Sequence, residues 1–339
     1  MQLGRDLGFS AVGIADIALE REAAGFQAWI ASDQHGEMEY MARHGAKRWQ
    51  PDELQPGTQS VICVALDYWP NAALDADETL ATPERAYISR YALGRDYHKV
   101  LRNKLQAFGA AIHERIKPHD FRVFTDSAPV LEIPLAVKAG LGWRGKHTLL
   151  LNLERGSMFF LGEIYTSLKL APPTPQNDHC GTCTACIDIC PTQAITAPHR
   201  LDARKCISYL TIELKTAIPV EFRKAIGNRI YGCDDCQLVC PWNKFAQRTP
   251  IPDFEPRNGL DSAMLVALFA WTEDEFNLRL QGSPIRRIGH DRWLRNIAVA
   301  LGNAPSSLTI TAALQARAAH PSALVREHVA WAQTQHVAP

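Results

Sequence analysis

The most informative segment of the sequence is Cys180-Gly-Thr-Cys183-Thr-Ala-Cys186-Ile-Asp-Ile-Cys190-Pro191. Its spacing, C-x2-C-x2-C-x3-C-P, is typical of bacterial ferredoxins that carry two [4Fe-4S] clusters. The first three thiolates can bind three irons of one cubane, while the fourth is directed to the neighbouring cluster. The segment therefore predicts two clusters in one ferredoxin-like domain.

A second and shorter cysteine run follows, Cys233-Asp-Asp-Cys236-Gln-Leu-Val-Cys240-Pro241. It lacks one cysteine of the pattern, and Cys206 is the remaining candidate for the missing ligand. The fourth cysteines of the two runs are expected to cross over between the clusters. This assigns one cluster to Cys180, Cys183, Cys186 and Cys240, and the other to Cys190, Cys206, Cys233 and Cys236.

Zinc is the alternative metal for these cysteines, because C-x2-C pairs also suit tetrahedral zinc sites. The C-x2-C-x2-C triplet and the Cys-Pro endings of both runs argue against zinc and favour the clusters. The ninth cysteine, Cys63, lies in the apolar run 60–66. There we expect the thiol to pack as a small hydrophobic group.

Composition limits the possible functions. The chain has 339 residues, of which 46% are hydrophobic and 21% charged, so we expect two or three globular domains. The 36 Lys and Arg residues balance the 36 Asp and Glu residues, so any nucleic-acid site must be a local basic face. The sequence contains no apolar run near membrane-spanning length and no export signal at its start, so we expect a cytoplasmic protein without membrane contact.

Prolines divide the chain into three regions. The Pro-rich stretch 171–175 and the prolines at 250, 252 and 256 mark two linkers. We therefore predict an α/β domain in residues 1–170, the double-cluster domain in residues 171–249, and a helical region in residues 250–339. In the first domain, apolar patterning predicts helices at 25–30 and 99–116 and strands at 60–66, 121–125, 148–152 and 158–165. The helical region has paired amphipathic helices typical of HEAT repeats, with a plain helical cap as the alternative.

Candidate site residues in the first domain follow from their places in these elements. The domain has neither a dinucleotide-binding fingerprint nor a phosphate-binding loop. Asp126 follows a predicted strand at its carboxyl end, where open α/β sheets bind ligands and where a carboxyl group could donate a proton. Tyr97 and His98 begin a predicted helix that a cofactor could approach. The alternatives are a turn role for Asp126 and a capping or packing role for the other two.

Several further segments, together with the cysteines, resemble the epoxyqueuosine reductase family of iron-sulfur and cobalamin enzymes, which act in queuosine biosynthesis in tRNA. They span almost the whole chain. The segments are His35-Gly-Glu-Met-Glu-Tyr-Met41, Pro56-Gly-Thr-Gln-Ser-Val61, Ser89-Arg-Tyr-Ala-Leu-Gly-Arg-Asp-Tyr-His98, Thr125-Asp-Ser-Ala-Pro129, Gly140-Leu-Gly-Trp-Arg-Gly-Lys-His-Thr148, Tyr231-Gly-Cys-Asp-Asp-Cys-Gln237 and Ile285-Arg-Arg-Ile-Gly-His290.

The resemblance implies a fold and a reaction. The α/β N-terminal domain would bind base-off cobalamin, and the C-terminal α-helical HEAT-like domain would help bind the tRNA anticodon arm. Epoxyqueuosine at the wobble position would be reduced to queuosine, with electrons passing from an external low-potential donor through both clusters to cobalamin. Asp126 would be the proton donor, for which its pKa should be raised by burial.

The resemblance also implies which residues lie beside the corrinoid, and two departures from the family pattern qualify it. Ile133 stands where many relatives are expected to have a basic residue, and the first helix, near Gly4-Arg-Asp-Leu-Gly8, is expected to be shorter than usual. In the D-x-H-x-x-G fingerprint by which other cobalamin proteins bind cobalt, Leu101 replaces the glycine, so His98 is not assigned as a cobalt ligand. The residues placed beside the corrinoid are Arg48, Tyr97, His98, Asp126, Lys146, His147 and Thr148.

Local charge supports RNA binding. Residues 204–248 contain eight basic and four acidic residues, and residues 283–339 contain six basic and two acidic, so each segment carries a net charge of +4. Such faces attract phosphates. The best group of candidate tRNA contacts is Arg286, Arg287, Arg292 and Arg295.

Two other functions remain as alternatives, a corrinoid reductive dehalogenase and a plain electron-transfer ferredoxin. The lack of a twin-arginine signal and the helical tail argue against the dehalogenase, and cobalamin binding would distinguish both enzymes from the electron carrier. We expect a monomer.

Overall fold

The computed structural model describes residues 1–336. Its strands are β1 (Ala11–Ala15), β2 (Ser60–Asp67), β3 (Tyr87–Ile88), β4 (Phe121–Phe124), β5 (Trp143–Arg144), β6 (Leu150–Leu151), β7 (Phe159–Thr166), β8 (Ile195–Ala197), β9 (Arg200–Leu201) and β10 (Arg229–Tyr231). Its α-helices are α1 (Gln2–Asp6), α2 (Glu20–Ala31), α3 (Glu39–Arg43), α4 (Pro51–Leu54), α5 (Ala76–Leu80), α6 (Tyr97–Arg115), α7 (Glu132–Lys138), α8 (Ala185–Asp188), α9 (Val220–Ile226), α10 (Asp235–Leu238), α11 (Leu265–Phe269), α12 (Glu273–Arg279), α13 (Gly289–Asn303), α14 (Leu308–Ala316) and α15 (Ala323–Thr334).

A four-stranded sheet forms the centre of the N-terminal region, in the order β1-β2-β7-β4. Strand β2 is buried along its whole length because helices cover both faces of the sheet. One face packs against apolar side chains of α6, and the other packs against α7. Gly13 in β1 lets α7 come close, since a Cβ at this position would lie 2.0 Å from the carbonyl oxygen of Ala139. The C-terminal end of α7 therefore lies directly against β1.

Most of the predicted elements in this region are confirmed. The predicted strands 60–66, 121–125 and 158–165 correspond to β2, β4 and β7, and the predicted helices correspond to α2 and α6. The predicted strand 148–152 is wrong in its extent, because only β6 is extended there. This strand pairs with β5 outside the main sheet. Cys63 is fully buried in β2, as expected.

The main sheet is antiparallel at each of its three pairings. Neighbouring strands therefore end at opposite edges, and the rule that ligands bind at the carboxyl edge of a parallel sheet does not apply here. The position of Asp126 is set instead by the connection from β4 to α7. The α/β character of the region was predicted, but the pairing was not.

The cysteine-rich region is joined to its neighbours by strand pairing and shared cores. Strand β10 pairs in parallel with β3 of the N-terminal region. The buried carboxylate of Asp234 accepts hydrogen bonds from Tyr87 and Ser89 at 2.8 and 2.5 Å. Residues around β3 and β10 also share one hydrophobic core with the C-terminal helices. The division at residues 170 and 249 stays a prediction, since these contacts cross both boundaries.

The C-terminal region is helical, and α13 is its central element. This helix is buried from Trp293 to Gly302 and packs against α11 and α15. The helical periodicity predicted around Leu294 and Leu324 is confirmed, whereas the HEAT-like description stays a prediction. Within residues 1–336, no helix combines the length and apolar character needed to cross a membrane.

Candidate active site

A large cavity opens beside the N-terminal end of α6. Its volume is about 1060 Å³, slightly above the range of roughly 300–1,000 Å³ usual for small-molecule sites. Its walls come from α2, from the 3₁₀ turn Gly45–Arg48, from the loop between β4 and α7, and from Arg287 of the C-terminal region. The cavity also contains several of the predicted site residues: Arg48, Tyr97, His98, Asp126 and Thr148.

Asp126 lies at the centre of a chain of polar groups. The Tyr97 hydroxyl donates a short hydrogen bond to Oδ2 of Asp126, and Nε2 of His98 lies 3.2 Å from the same oxygen. On its other side, Nδ1 of His98 lies 2.7 Å from Oδ1 of Asp96, which is the N-cap residue of α6. The imidazole is therefore held between two carboxylates, one of which opens into the cavity with 52% of its side chain exposed.

The pKa values of these polar groups contradict one expectation from the sequence, the raised pKa of Asp126. Burial alone would raise the pKa of Asp126, but hydrogen bonds to His98 and Tyr97, with the charges of His98 and Arg287, lower it below its ordinary value. Burial alone would lower the pKa of His98, but Asp126 and Asp96 raise it to about 9. The expected raised pKa of Asp126 is thus wrong, because the neighbouring His98 holds the proton at neutral pH.

Tyr97 is fixed by its packing. Its ring stacks on Phe160 with a centroid distance of 4.1 Å and an interplanar angle of 8°. Burial raises the pKa of Tyr97, so the hydroxyl stays protonated and donates to Asp126. The residue therefore orients the carboxylate without carrying charge.

Two glutamates below the Asp126 loop were not predicted from the sequence. Glu132 begins α7, and its Oε1 accepts the backbone N–H of Asp126 at 2.6 Å. Glu163 lies in β7 and is fully buried. The signal available in the sequence was a single acidic residue inside the apolar run 158–165, because a charged side chain in a buried strand needs a specific reason.

The remaining predicted corrinoid contacts differ in position. Arg48 lines the cavity, but its guanidinium already donates to the carbonyl oxygens of Met41 and Tyr40 at 2.8 and 2.5 Å. Thr148 has a φ of +74° and lines both this cavity and a smaller one beside it. His147 is buried at the smaller cavity, and burial lowers its pKa to about 4, so its ring is neutral.

Lys146 lies at the first cysteine loop, and its predicted contact with the corrinoid stays a prediction. Its Nζ donates to the carbonyl oxygens of Gly181 and Cys183, at 2.7 and 2.8 Å. The ammonium group therefore stabilises the first cysteine loop rather than facing the large cavity. The physical reason is the turn at Thr148, which lets consecutive side chains of this segment point to different regions.

The cysteine side chains converge in two groups of four. Cys186 lies near Cys180, Cys183 and Cys240, whose charges raise its pKa in addition to the effect of burial. Cys236 lies near Cys206 and Cys190, and Cys206 in turn lies near Cys233. These two groups are the ones expected from crossed fourth ligands. We call them the outer group (Cys180, Cys183, Cys186 and Cys240) and the inner group (Cys190, Cys206, Cys233 and Cys236).

The cysteine groups fit iron-sulfur clusters. All of these thiols are free of disulfide bonds. The inner group lines the smaller cavity, whose volume is about 380 Å³. Tyr97 and Thr148 line both cavities, so the inner group lies directly beside the large cavity. Cys183 of the outer group is exposed, which places the outer group nearer to solvent.

The four arginines predicted to contact tRNA differ in their exposure to solvent. Arg286 and Arg287 are exposed, and Arg292 is half-buried with its guanidinium donating to the carbonyl oxygens of Ile288 and Ile212. Arg295 has no exposed surface, so its prediction as a tRNA contact is wrong. It donates instead to the carbonyl oxygens of Leu210, Leu214 and Thr216 around the π-helix Tyr209–Glu213.

The outer and inner cysteine groups fit iron-sulfur clusters, and the large cavity beside the inner group contains the polar groups around Asp126. Together these features define an iron-sulfur oxidoreductase with a large cofactor site. Two family descriptions match the chain, "4Fe-4S double cluster binding domain" at residues 179–243 and "Epoxyqueuosine reductase QueG, DUF1730" at residues 48–127. The epoxyqueuosine reductase of Xanthomonas campestris pv. campestris is 60% identical, with 98% of this chain and 94% of the relative covered. The chain belongs to the epoxyqueuosine reductase family.

Solved structures agree with this assignment. A crystal structure of epoxyqueuosine reductase with an epoxyqueuosine-modified tRNA-Tyr stem loop has a TM-score of 0.90 and 29% identity, covering 99% of this chain and 88% of that chain. An epoxyqueuosine reductase structure from Bacillus subtilis, with its catalytic aspartate loop swung out of the active site, has a TM-score of 0.87 and 29% identity. It covers 100% of this chain and 89% of that chain.

Family membership establishes the reaction. The protein is an oxidoreductase that reduces epoxyqueuosine to queuosine, and its cofactors are two [4Fe-4S] clusters and cobalamin. The resemblance seen in the sequence is confirmed. The alternatives of a dehalogenase and a plain electron carrier are set aside by the same finding.

Proposed function

We propose that the large cavity holds cobalamin and the epoxyqueuosine base, and that Asp126, reprotonated by His98, protonates the departing epoxide oxygen. The observation that carries this proposal is the Asp96–His98–Asp126 chain, whose last carboxylate opens into a cavity bordered by the inner cysteine group. A carboxylate between a protonated imidazole and a bound substrate is suited to proton transfer.

The proton balance of the reaction explains the need for such a chain. Conversion of an epoxide to an alkene and water consumes two electrons and two protons. At neutral pH, one proton is held at Nε2 of His98, because its pKa is raised to about 9. As charge develops on the departing oxygen, Asp126 accepts this proton from His98 and delivers it to that oxygen. The second proton, which completes the water molecule, comes from solvent through the open cavity. Tyr97 keeps the carboxylate oriented during the transfer.

The residues of the cavity fit base-off cobalamin without a histidine ligand. When bound, cobalamin supplies the low-potential electron chemistry that side chains cannot provide. Both ring nitrogens of His98 face carboxylates, so neither is directed at a metal in the cavity. We propose Thr148, Arg48 and Arg144 as parts of the wall that holds the corrinoid.

We propose that the outer and inner cysteine groups each bind a [4Fe-4S] cluster and conduct electrons to the cavity. The exposure of Cys183 supports entry from an external low-potential donor at the outer group. The inner group borders the large cavity, so the second transfer is short.

We propose that the anticodon arm of tRNA binds at the mouth of the large cavity. The support comes from a relative solved with a modified tRNA stem loop and from Arg286 and Arg287, which are exposed next to the cavity. Because tRNA carries the substrate, we place the protein in the cytoplasm.

The role of Asp126 is tested with the variant Asp126→Asn. An amide cannot deliver the proton, so we expect queuosine formation to fall by about 10²–10⁴-fold, with iron, sulfide and cobalamin content unchanged. The measurement is mass spectrometry of nucleosides from epoxyqueuosine-containing tRNA after anaerobic reaction. Asp120→Asn, an exposed aspartate just before β4, is the matched control. Loss of cobalamin binding in the Asp126 variant would assign that residue a structural role instead.

A further inference from the structure

Glu163 is the least expected side chain in the N-terminal region. It lies opposite Cys63 of β2 and Phe124 of β4, so it projects from the same face of the sheet as these two residues. That face is the apolar core beneath α7. The side chain has no exposed surface. Within residues 1–336, neither carboxylate oxygen of ionised Glu163 accepts a hydrogen bond. An isolated buried carboxylate is destabilising, so packing does not explain this residue.

Glu132 is the hydrogen-bond partner of Glu163, and it accepts from the protonated carboxyl group of Glu163. The two carboxyl groups interact directly once one of them carries a proton. Burial and the charge of Asp126 raise the pKa of Glu132 to about 8, whereas burial and the charge of Glu132 raise the pKa of Glu163. The pair therefore retains a proton at neutral pH. Other titratable groups face it from the cavity and from the sheet: Asp126, His98, Tyr97, Cys63 and Tyr165.

The carboxyl pair is connected to the cavity through the backbone of Asp126. Oε1 of Glu132 accepts the Asp126 N–H at 2.6 Å. Asp126 has a φ of +49°, which is uncommon for a residue other than glycine and requires support from its surroundings. Without this acceptor, the N–H would lose its partner and the loop could relax toward an ordinary backbone conformation.

We infer that Glu132, held in place by Glu163, is a positioning residue for Asp126. It fixes the loop so that the Asp126 carboxyl stays between Tyr97, His98 and the substrate site. Glu132 acts through a backbone amide and does not touch the reacting atoms, so it is not itself the proton donor. This inference rests on the proposed role of Asp126, because a correctly placed carboxyl matters only if that carboxyl transfers the proton.

The first experiment compares Glu132→Gln with Glu132→Ala in reconstituted holoenzyme. The glutamine keeps a side-chain oxygen for the Asp126 N–H, so we expect kcat within about threefold of the wild type. The alanine removes the acceptor, and we expect kcat to fall at least tenfold, with the KM for tRNA within twofold and the cofactor content unchanged. Glu221→Ala removes an exposed glutamate from the first turn of α9 and serves as the control.

Hydrogen exchange provides a readout that does not depend on activity. In holoenzyme analysed by mass spectrometry, we expect the peptide containing residues 125–131 to exchange at least tenfold faster in Glu132→Ala than in the wild type or in Glu132→Gln. Unchanged exchange together with unchanged kcat in Glu132→Ala would overturn the inference. An equal loss of kcat in the glutamine and alanine variants would also overturn it, because the acceptor oxygen would then be irrelevant.

The second experiment tests Glu163 with Glu163→Leu and Glu163→Gln. Leucine removes a buried polar group of similar size, so we expect a melting temperature at least equal to that of the wild type together with at least a fivefold lower kcat. Glutamine retains a donor for Glu132, and we expect it to preserve kcat. A residue with only a structural role would lower stability and activity together in both variants. If Glu163→Leu does not fold, the glutamine variant still decides, since a large loss of kcat in that folded variant contradicts the inference.

The result for Asp126→Asn separates the two proposals. If Asp126→Asn is inactive while Glu132→Ala is fully active, the positioning role is overturned and the proposed function stands. If Asp126→Asn retains wild-type turnover, the proton-donor role fails, and the positioning inference fails with it.

Discussion

At the scale of single residues, the proposed proton transfer uses two neighbouring side chains. His98 holds the proton because two carboxylates face its ring, whereas Asp126 faces the cavity as an anion. A buried aspartic acid could have held the proton itself, but then Tyr97 would have no carboxylate to orient. In the observed arrangement, the proposed donor Asp126 faces the cavity, and the neighbouring His98 holds the proton.

This arrangement predicts the alkaline limb of the pH profile. The pKa of His98 is raised from 6.5 to about 9 in the folded protein. Its protonated form, and the stability that it contributes, is therefore fully present below about pH 6.5 and is lost as the pH rises through 9. We expect kcat to be sustained to about pH 8 and to fall above pH 9.

The variant His98→Gln tests this assignment, because an amide cannot hold the proton. We expect a kcat at least 10²-fold lower, with the limb near pH 9 absent. The measurement is queuosine formation between pH 6 and 10, with visible absorption as a control for intact clusters. An unchanged alkaline limb in the variant would show that another group limits the reaction.

At the scale of elements, apolar patterning allowed β2, β7 and α6 to be predicted because each carries a continuous buried face. Pairing could not be predicted, since a buried strand has the same pattern in parallel and antiparallel sheets. Arg295 shows a second limit of prediction from the sequence. In the sequence it is one of several nearby arginines, and only the fold reveals that carbonyl groups of another element surround it.

A buried histidine in α15 leads to a prediction about the free energy of unfolding. His328 is fully buried in α15, where its Nε2 accepts the backbone N–H of Ile218 at 3.0 Å and its Nδ1 faces the Leu324 carbonyl oxygen. His328→Leu leaves the buried Ile218 N–H without an acceptor. We expect the free energy of unfolding to fall by about 1–3 kcal/mol at pH 7.

The pH dependence supplies the control for this prediction. Burial lowers the pKa of His328 to about 4, so its contribution is present above pH 6.5 and is lost as the pH falls toward 4. Urea unfolding at pH 7 and pH 5 should therefore show a smaller loss of stability in His328→Leu than in the wild type on acidification. Equal losses in both proteins would contradict the assignment of a neutral buried histidine.

At the scale of the whole molecule, the proposed path for electrons follows the order of the cysteine groups and the cavity. The outer cysteine group reaches the surface, the inner group borders the cavity, and the cavity contains Asp126. Cysteine spacing alone was enough to expect the two groups, because ferredoxin ligands are local in sequence. The contribution of Arg287 to the cavity was not visible, since it depends on how the C-terminal helices pack against β3 and β10.

The proposed binding of the tRNA arm leads to a prediction about salt dependence. Arg286 is exposed, and its Nε donates to Asn277 at 3.2 Å, which leaves other donors of its guanidinium free for a phosphate. We expect Arg286→Ala to weaken binding and to reduce the slope of log K against log salt by about 0.7–1. Lys117→Ala, at an exposed lysine after α6, should leave the slope unchanged.

Arg295 provides the internal contrast for this measurement. Its guanidinium is occupied by backbone carbonyl groups, so Arg295→Lys should lower the melting temperature without changing the salt slope of the folded protein. Fluorescence anisotropy with a labelled anticodon stem loop at 50–200 mM salt measures all of these variants. If Arg286→Ala retains the wild-type slope while Arg295→Lys reduces it, the stem loop does not bind at the exposed arginines, and its phosphates must be neutralised by another face of the molecule.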